Sequence, residues 1–105
     1  MSWRLFIDDE RFPIREDDWY IARDANDAVF LVIKHGIPNY ISFDHDLGDG
    51  ANGAQFVIWL INHMLDEELQ FPKDFDYFVH SQNPIGADNI RAKMDAAIKH
   101  IGYES

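Results

Sequence analysis

The sequence predicts an α/β domain built on a short parallel sheet, and two observations carry this prediction. Four apolar stretches typical of buried strands alternate with helical segments from the second stretch onward. Three of these stretches run directly into charged or polar side chains, where open parallel sheets bind their ligands. The order β-β-α-β-α-β-α and right-handed crossovers predict a flavodoxin-like three-layer sandwich with strand order 2-1-3-4.

Length and composition fit a single domain that spans residues 1–105. Hydrophobic residues make up 47% of the chain, which is enough for a packed core. No apolar run approaches the roughly 20 residues that cross a bilayer, and no signal peptide is recognisable. We therefore expect a cytoplasmic protein without a membrane partner. The chain has no cysteine, which excludes disulfides and thiolate metal sites.

The formal net charge of −10 argues against binding to duplex or other long nucleic acid. Such binding gains most of its affinity from lysine and arginine on phosphates. A small phosphorylated ligand remains compatible with the charge, because a bound divalent cation inverts the local potential.

The strands are predicted from apolar runs and their borders. The first crossover, residues 10–18, is expected to be irregular, because Pro13 disfavours helix at Phe12. Between strand 3 and the second helix, residues 47–53 contain three glycines and are typical of a lid or of a loop that approaches a ligand. The predicted strands are residues 2–7, 19–23, 40–44 and 75–80.

Three helices are predicted from capping signals and apolar spacing. The first follows the N-cap Asp24, has Asp27 in the position of a capping box, and stops at Gly36. The last begins at Pro84, a favoured first helical position, and ends at Gly102. The first and second helices are predicted over residues 25–35 and 54–68.

Carboxylates at two neighbouring strand ends predict a metal site. Strand order 2-1-3-4 brings Asp8 and Asp9 beside Asp44, His45 and Asp46. Carboxylates this close raise one another's pKa, and Mg²⁺ or Mn²⁺ relieves the repulsion with oxygen ligands. The alternatives are a helix cap or turn for the first pair and an Asx-turn for the strand-3 pair.

Further polar side chains are candidates for binding a phosphate or moving a proton. His80, at the end of the fourth strand, is a candidate general acid or base or a structural imidazole. Ser81 and Asn83 either cap the last helix or bind a phosphate at its N-terminus. Arg11 and Arg91 are candidate phosphate-binding cations, with solvated surface arginine as the alternative.

Three motifs are spread along the chain: LFIDDERFP at 5–13, ISFDHDLG at 41–48 and HSQNPIG at 80–86. As a set they resemble the cyclic-phosphate-processing receiver-like domains, a divergent branch of the response-regulator receiver fold in bacteria and their phages. The resemblance implies that Asp8, Asp9 and Asp44 bind Mg²⁺, as the corresponding residues of ordinary receivers do. It also places Asp44 at the phospho-acceptor position and Ser81 near the receiver's strand-4 hydroxyl.

The chain also departs from ordinary receivers. We expect a truncated, four-stranded sheet, without the fifth strand and its lysine, and therefore no usual phosphorylation switch. The family that the chain resembles also has residues that ordinary receivers lack, which are here His45, Asp46 and the run His80-Ser81-Gln82-Asn83. The resemblance implies the processing of cyclic phosphates in RNA end repair or in the turnover of nucleotide signals, in a host cytoplasm if a phage encodes the protein.

These observations give one leading hypothesis and two alternatives. The first is a metal-dependent phosphoesterase that opens a 2′,3′-cyclic RNA end or a cyclic nucleotide. Asp44 would hold the metal or act as a transient nucleophile, and His80 or His45 would be the general acid or base. The alternatives are a non-catalytic module that sequesters a nucleotide or docks to a protein, and a conventional phospho-accepting receiver.

Overall fold

The sheet has four parallel strands in the order β2-β1-β3-β4, as predicted. The computed structural model describes residues 3–8, 19–44, 52–80 and 84–104. The strands are β1 (Arg4–Ile7), β2 (Tyr20–Ala22), β3 (Tyr40–Asp44) and β4 (Asp76–His80). The helices are α1 (Ala25–His35), α2 (Asn52–Asp66) and α3 (Pro84–Ile101). In the described part of the chain, no helix has both the length and the apolar character to cross a bilayer.

The first two strands are shorter than predicted, and β4 begins one residue later than predicted. The structure begins β1 at Arg4 and limits β2 to three residues, because the residues that flank β2 serve other contacts. Trp19 lies edge-on to the rings of Phe6 and Tyr40, with centroid separations of 5.7 and 5.6 Å. Arg23 lies in a bend that leads into α1.

Helix α1 has the predicted bounds, residues 25–35, and the predicted caps at both ends. The Asp24 side chain accepts a hydrogen bond from the Asp27 amide at 2.8 Å. Asp27 Oδ2 accepts from the Arg23 amide at 3.2 Å, one residue before the position that a capping box uses. Gly36 follows the helix with φ of +88°, a conformation that favours glycine.

Helix α2 begins and ends two residues earlier than predicted. It starts at Asn52 and includes Gly53 in its first turn. It ends at Asp66 in a Schellman arrangement, with Leu69 N–H donating to the Met64 carbonyl at 2.8 Å. The left-handed position is filled by Glu68, with φ of +55°. No glycine marks this end, so the sequence pattern extended the helix too far.

Helix α3 begins at Pro84 and is followed by Gly102, as predicted. Gly102 has φ of +83°, and its amide donates to the Ile98 carbonyl at 2.9 Å. The predicted N-cap, Asn83, lies outside the described residues.

The core lies between one face of the sheet and the three helices. Helix α1 contacts α2, and α2 contacts α3, so the described helices form one layer. The described residues therefore make two layers, a sheet and a helix layer, and not the three of the predicted sandwich. The sheet contributes alternate, fully buried or nearly buried residues to this core, namely Leu5, Ile7, Ala22, Ile41, Phe43 and Val79. On the opposite face Phe6 and Ser42 are buried, whereas Phe78 is 55% exposed. Residues 9–18, which connect β1 to β2 and include the predicted irregular crossover, lie outside the described residues.

Candidate functional site

Candidate functional residues from adjacent strands lie at the same level of the sheet. Asp44 pairs directly with His80 across β3 and β4. Asp8 follows Ile7, which pairs with Phe43, so Asp8 lies level with Asp44. Adjacent strands are about 4.8 Å apart. The backbones of Asp8, Asp44 and His80 therefore lie side by side, at an end of the sheet that we call the carboxyl edge.

Asp8 is fully buried at this edge and is fixed through its backbone. Its amide donates to the Ala22 carbonyl at 3.1 Å, and its carbonyl accepts from Arg23 Nη1 at 2.8 Å. The exposed fraction of Asp8 is 0%. Burial of a carboxylate is costly without compensating hydrogen bonds or an opposite charge. A buried carboxylate at a strand end is therefore more informative than one of the many surface carboxylates of this acidic chain.

Arg23, which follows β2, extends this row to the other neighbour of β1. It follows Ala22, which pairs with Ile7, so it lies level with Asp8. The sequence reasoning gave Arg23 no role, although it ends the second apolar stretch as Asp8 and Asp44 end theirs. The position of Arg23 at the end of a predicted strand is the feature of the sequence that could have identified it. The contact of its guanidinium with a backbone carbonyl could not be read from the sequence.

Arg91, a predicted phosphate-binding cation, lies beside the end of β4. Its Nη2 donates to the Val79 carbonyl at 3.4 Å, one residue before His80. Its Nη1 contacts Asp88 Oδ1 at 3.1 Å, and its side chain is 48% exposed. A guanidinium has five N–H donors, so these contacts leave donors for a phosphate oxygen. The phosphate-binding role of Arg91 remains a prediction.

The outer side of β4 is occupied by side chains of β4 and α3. The Tyr77 amide donates to Asp76 Oδ1 at 2.8 Å, and the Val79 carbonyl accepts from Arg91. The Tyr77 hydroxyl donates to Asp95 Oδ1 at 2.5 Å and contacts the Arg91 carbonyl at 3.3 Å. Burial, and then the hydrogen bond to Asp95, raise the pKa of the Tyr77 hydroxyl above its ordinary value. These contacts fix α3 against β4 and hold Arg91 near the carboxyl edge.

The remaining predicted site residues lie outside the described part of the chain. These are Asp9, Arg11, His45, Asp46, Ser81 and Asn83, together with the side chains of Asp44 and His80. Their roles therefore remain predictions. Within the described residues, no group of three or more histidine, aspartate or glutamate side chains could hold a metal ion.

A comparison with protein-family models identifies the type of domain. The model of the cyclic-phosphate processing receiver domain matches residues 3–96, which is most of the chain. The chain belongs to this family. The resemblance indicated by the three motifs is thereby confirmed. No curated protein sequence matches the chain.

Two solved structures with 17% sequence identity to this chain have a similar fold. One is the N-terminal domain of a response regulator/sensory box/GGDEF three-domain protein from Carboxydothermus hydrogenoformans, with 17% identity and a TM-score of 0.55. The match covers 95% of this chain and 93% of that one. Another is a fusion chain that contains a yeast trimeric coiled-coil segment, with 17% identity and a TM-score of 0.56. That match covers 95% of this chain and 78% of the fusion chain. At this identity the likeness concerns the fold alone, and it agrees with the predicted receiver-like architecture.

Proposed function

We propose that this receiver domain is a metal-dependent phosphoesterase that opens a cyclic phosphate, on a 2′,3′-cyclic RNA end or on a cyclic nucleotide. The observation that supports this most strongly is the alignment of Asp8, Asp44 and His80 on three neighbouring strands. Family membership supports the processing of cyclic phosphates as the general task. The finer assignment rests on the chemistry of the aligned residues.

The proposed cofactor is Mg²⁺ or Mn²⁺, held by Asp8, Asp9, Asp44 and Asp46. This donor set consists of carboxylate oxygens, which suit hard divalent cations. The full burial of Asp8 fits the set, because a cation offsets the cost of removing a carboxylate from water. When bound, such an ion polarises phosphoryl oxygens and lowers the pKa of a coordinated water.

The proposed proton donor and acceptor is His80, with His45 as the second candidate. Opening a cyclic phosphate breaks one P–O bond of the ring, adds water at phosphorus, and leaves an alkoxide that needs a proton. An imidazole titrates near neutral pH and can supply that proton after accepting one from the attacking water. The direct pairing of His80 with Asp44 in the sheet puts this candidate next to the proposed metal ligands.

Phosphate oxygens are proposed to bind between the end of β4 and the start of α3. Arg91, held beside the Val79 carbonyl, would contribute part of a planar donor array that suits phosphate. Ser81 and Asn83 precede the N-terminus of α3, where backbone amides and the helix dipole favour an anion. Arg11 would add a second cation.

The test is turnover of a panel of 2′,3′-cyclic mononucleotides, a 2′,3′-cyclic RNA end, 3′,5′-cyclic nucleotides and cyclic dinucleotides. Each is incubated with Mg²⁺ or Mn²⁺, with EDTA, and with the Asp44→Asn variant. Asp66→Asn is the matched control, because Asp66 is an exposed carboxylate at the end of α2. We expect one substrate class to be cleaved in a reaction that needs both the metal and Asp44.

The same panel separates the alternatives. Tight retention of an uncleaved nucleotide would replace the enzyme with a module that sequesters nucleotides. Stable labelling of Asp44 by a small phosphodonor, without turnover of the panel, would instead indicate a conventional receiver.

A further inference from the structure

We infer that Arg23 is a positioning residue that fixes Asp8 at the carboxyl edge. Its guanidinium donates to the Asp8 backbone carbonyl. The consequence for metal binding rests on the proposed function, whereas the fixing of Asp8 is independent of it.

The inference starts from the hydrogen-bond ladder between β1 and β2. In a parallel pair, a residue donates to the carbonyl before its partner and accepts from the amide after its partner. Asp8 follows this rule on one side, because its amide donates to Ala22. The rule assigns its carbonyl to the amide of Asp24, but β2 ends at Ala22 and Asp24 is already the N-cap of α1. The Arg23 side chain supplies a donor to this carbonyl at 2.8 Å.

Arg23 is itself held in place by the start of α1. The Arg23 amide donates to the Asp27 carboxylate at 3.2 Å. The Asp27 amide in turn donates to the Asp24 side chain. Hydrogen bonds thus connect the first turn of α1 to Arg23, and the Arg23 side chain to the Asp8 carbonyl. The beginning of α1 is thereby tied to the position of Asp8.

Fixing the peptide of Asp8 also restrains its carboxylate, which is two bonds from the backbone and fully buried. Groups that orient metal ligands typically change metal affinity by about 10-fold to 100-fold when they are removed. A purely electrostatic role for Arg23 predicts the opposite sign. Removal of a positive charge beside the carboxylates would strengthen the binding of a cation.

The first experiment needs no metal. Amide hydrogen exchange is followed by NMR in the metal-free protein and in Arg23→Gln, Arg23→Lys and Arg4→Gln. Arg4 is the matched control, since it loses the same charge from the other end of β1, where its guanidinium lies 4.8 Å from the Trp19 ring centroid. In Arg23→Gln we expect the Asp8 amide to exchange roughly tenfold faster, as for the loss of one hydrogen bond, with the Ile41 amide unchanged.

The second experiment measures the dissociation constant of Mn²⁺ by electron paramagnetic resonance on the same proteins. We expect Arg23→Gln to weaken Mn²⁺ binding about 10-fold, Arg23→Lys to recover part of the loss, and Arg4→Gln to bind at least as tightly as the original protein. Thermal unfolding verifies that each variant is folded. If Arg23→Gln does not fold, the partial effect of Arg23→Lys decides the question.

The two experiments keep the inference and the proposed function apart. Unchanged exchange at Asp8 in folded Arg23→Gln, or tighter Mn²⁺ binding by that variant, would overturn the positioning role. If the original protein binds no Mn²⁺, the proposed metal chemistry fails. Faster exchange at Asp8 in Arg23→Gln would in that case still support the positioning role of Arg23.

Discussion

The two ends of the sheet both carry polar residues, but they use them differently. At the end where the strands begin, which we call the amino edge, Asn39 joins neighbouring segments. Its amide donates to the Trp3 carbonyl at 2.8 Å, its Oδ1 accepts from the Trp3 amide at 3.3 Å, and its Nδ2 donates to Asp74. At the carboxyl edge, the aligned residues Asp8, Asp44 and His80 are ionisable.

The difference between the two edges shows how a candidate functional site differs from polar contacts that only hold loops together. At the amino edge, hydrogen bonds join loops to each other, as where the Phe71 amide donates to the Gly102 carbonyl at 3.1 Å. At the carboxyl edge, backbone contacts hold Asp8 in place and its carboxylate is buried. Polar residues near strand ends are therefore informative only when their register and their chemistry are considered together.

The largest expected effect is on turnover, and it is tested by replacing one carboxylate at each edge of the sheet. Asp8→Asn should reduce turnover of the cleaved substrate roughly 1000-fold, because several kcal/mol of metal-assisted stabilisation are lost. Asp74→Asn, at the amino edge, should leave turnover unchanged. Steady-state kinetics with saturating Mn²⁺ measure both. Equal losses in the two folded variants would contradict the assignment of function to the carboxyl edge.

A histidine pair provides the second comparison. His80→Gln should lower turnover roughly 100-fold and flatten one limb of the pH-rate profile, as expected for loss of a general acid or base. His35 stacks on Tyr20 at a centroid distance of 4.7 Å, so His35→Gln should cost about 1 kcal/mol of stability and leave the profile intact. A profile that is unaltered in His80→Gln would remove His80 from the mechanism.

The amino edge should respond in stability rather than in activity. Asn39→Ala removes an acceptor of the Trp3 amide and a donor to Asp74, which should lower the free energy of unfolding by about 1–3 kcal/mol. Urea unfolding measures this loss, and turnover per folded molecule should remain that of the original protein. A folded Asn39→Ala protein with impaired turnover would show that the two edges are coupled.

The smallest expected effect concerns the contact between α3 and β4. Folding raises the pKa of the Tyr77 hydroxyl above its ordinary value of 10.0. The hydroxyl therefore contributes its full stabilisation below about pH 10, and this contribution is lost as the pH rises toward the pKa of the folded state. Between about pH 10 and pH 12, Tyr77→Phe should therefore lose stability less steeply than the original protein. Tyr103→Phe, at a 45% exposed tyrosine, is the control. Parallel slopes for the original protein and Tyr77→Phe would contradict the prediction.

The sequence predicts the architecture well because local signals and topology rules agree. Asp24, Gly36, Pro84 and Gly102 mark helix ends that the structure reproduces. The end of α2 is not marked in this way, because Glu68 adopts a conformation that usually belongs to glycine. A left-handed backbone conformation at a residue other than glycine costs of order 1 kcal/mol. The hydrogen bond from Leu69 to Met64 at this helix end helps to offset that cost.

The candidate site is predictable to the level of strand ends and no further. Strand order alone brings Asp8 next to Asp44, and the structure has that order. The contacts of Arg23 and Arg91 with backbone carbonyls depend on where β2 leaves the sheet and how α3 packs on β4. These are tertiary relations, which no local pattern in the sequence encodes.

The side chains along the outer side of β4 also bear on how copies of this protein behave when concentrated. An open strand border normally recruits strands from other molecules, and successive additions lead to fibrils. Here the Tyr77 amide is bound by Asp76 and the Val79 carbonyl by Arg91. An incoming strand would have to displace both charged side chains. The arrangement that holds Arg91 beside the proposed substrate therefore also protects the protein against aggregation through β4.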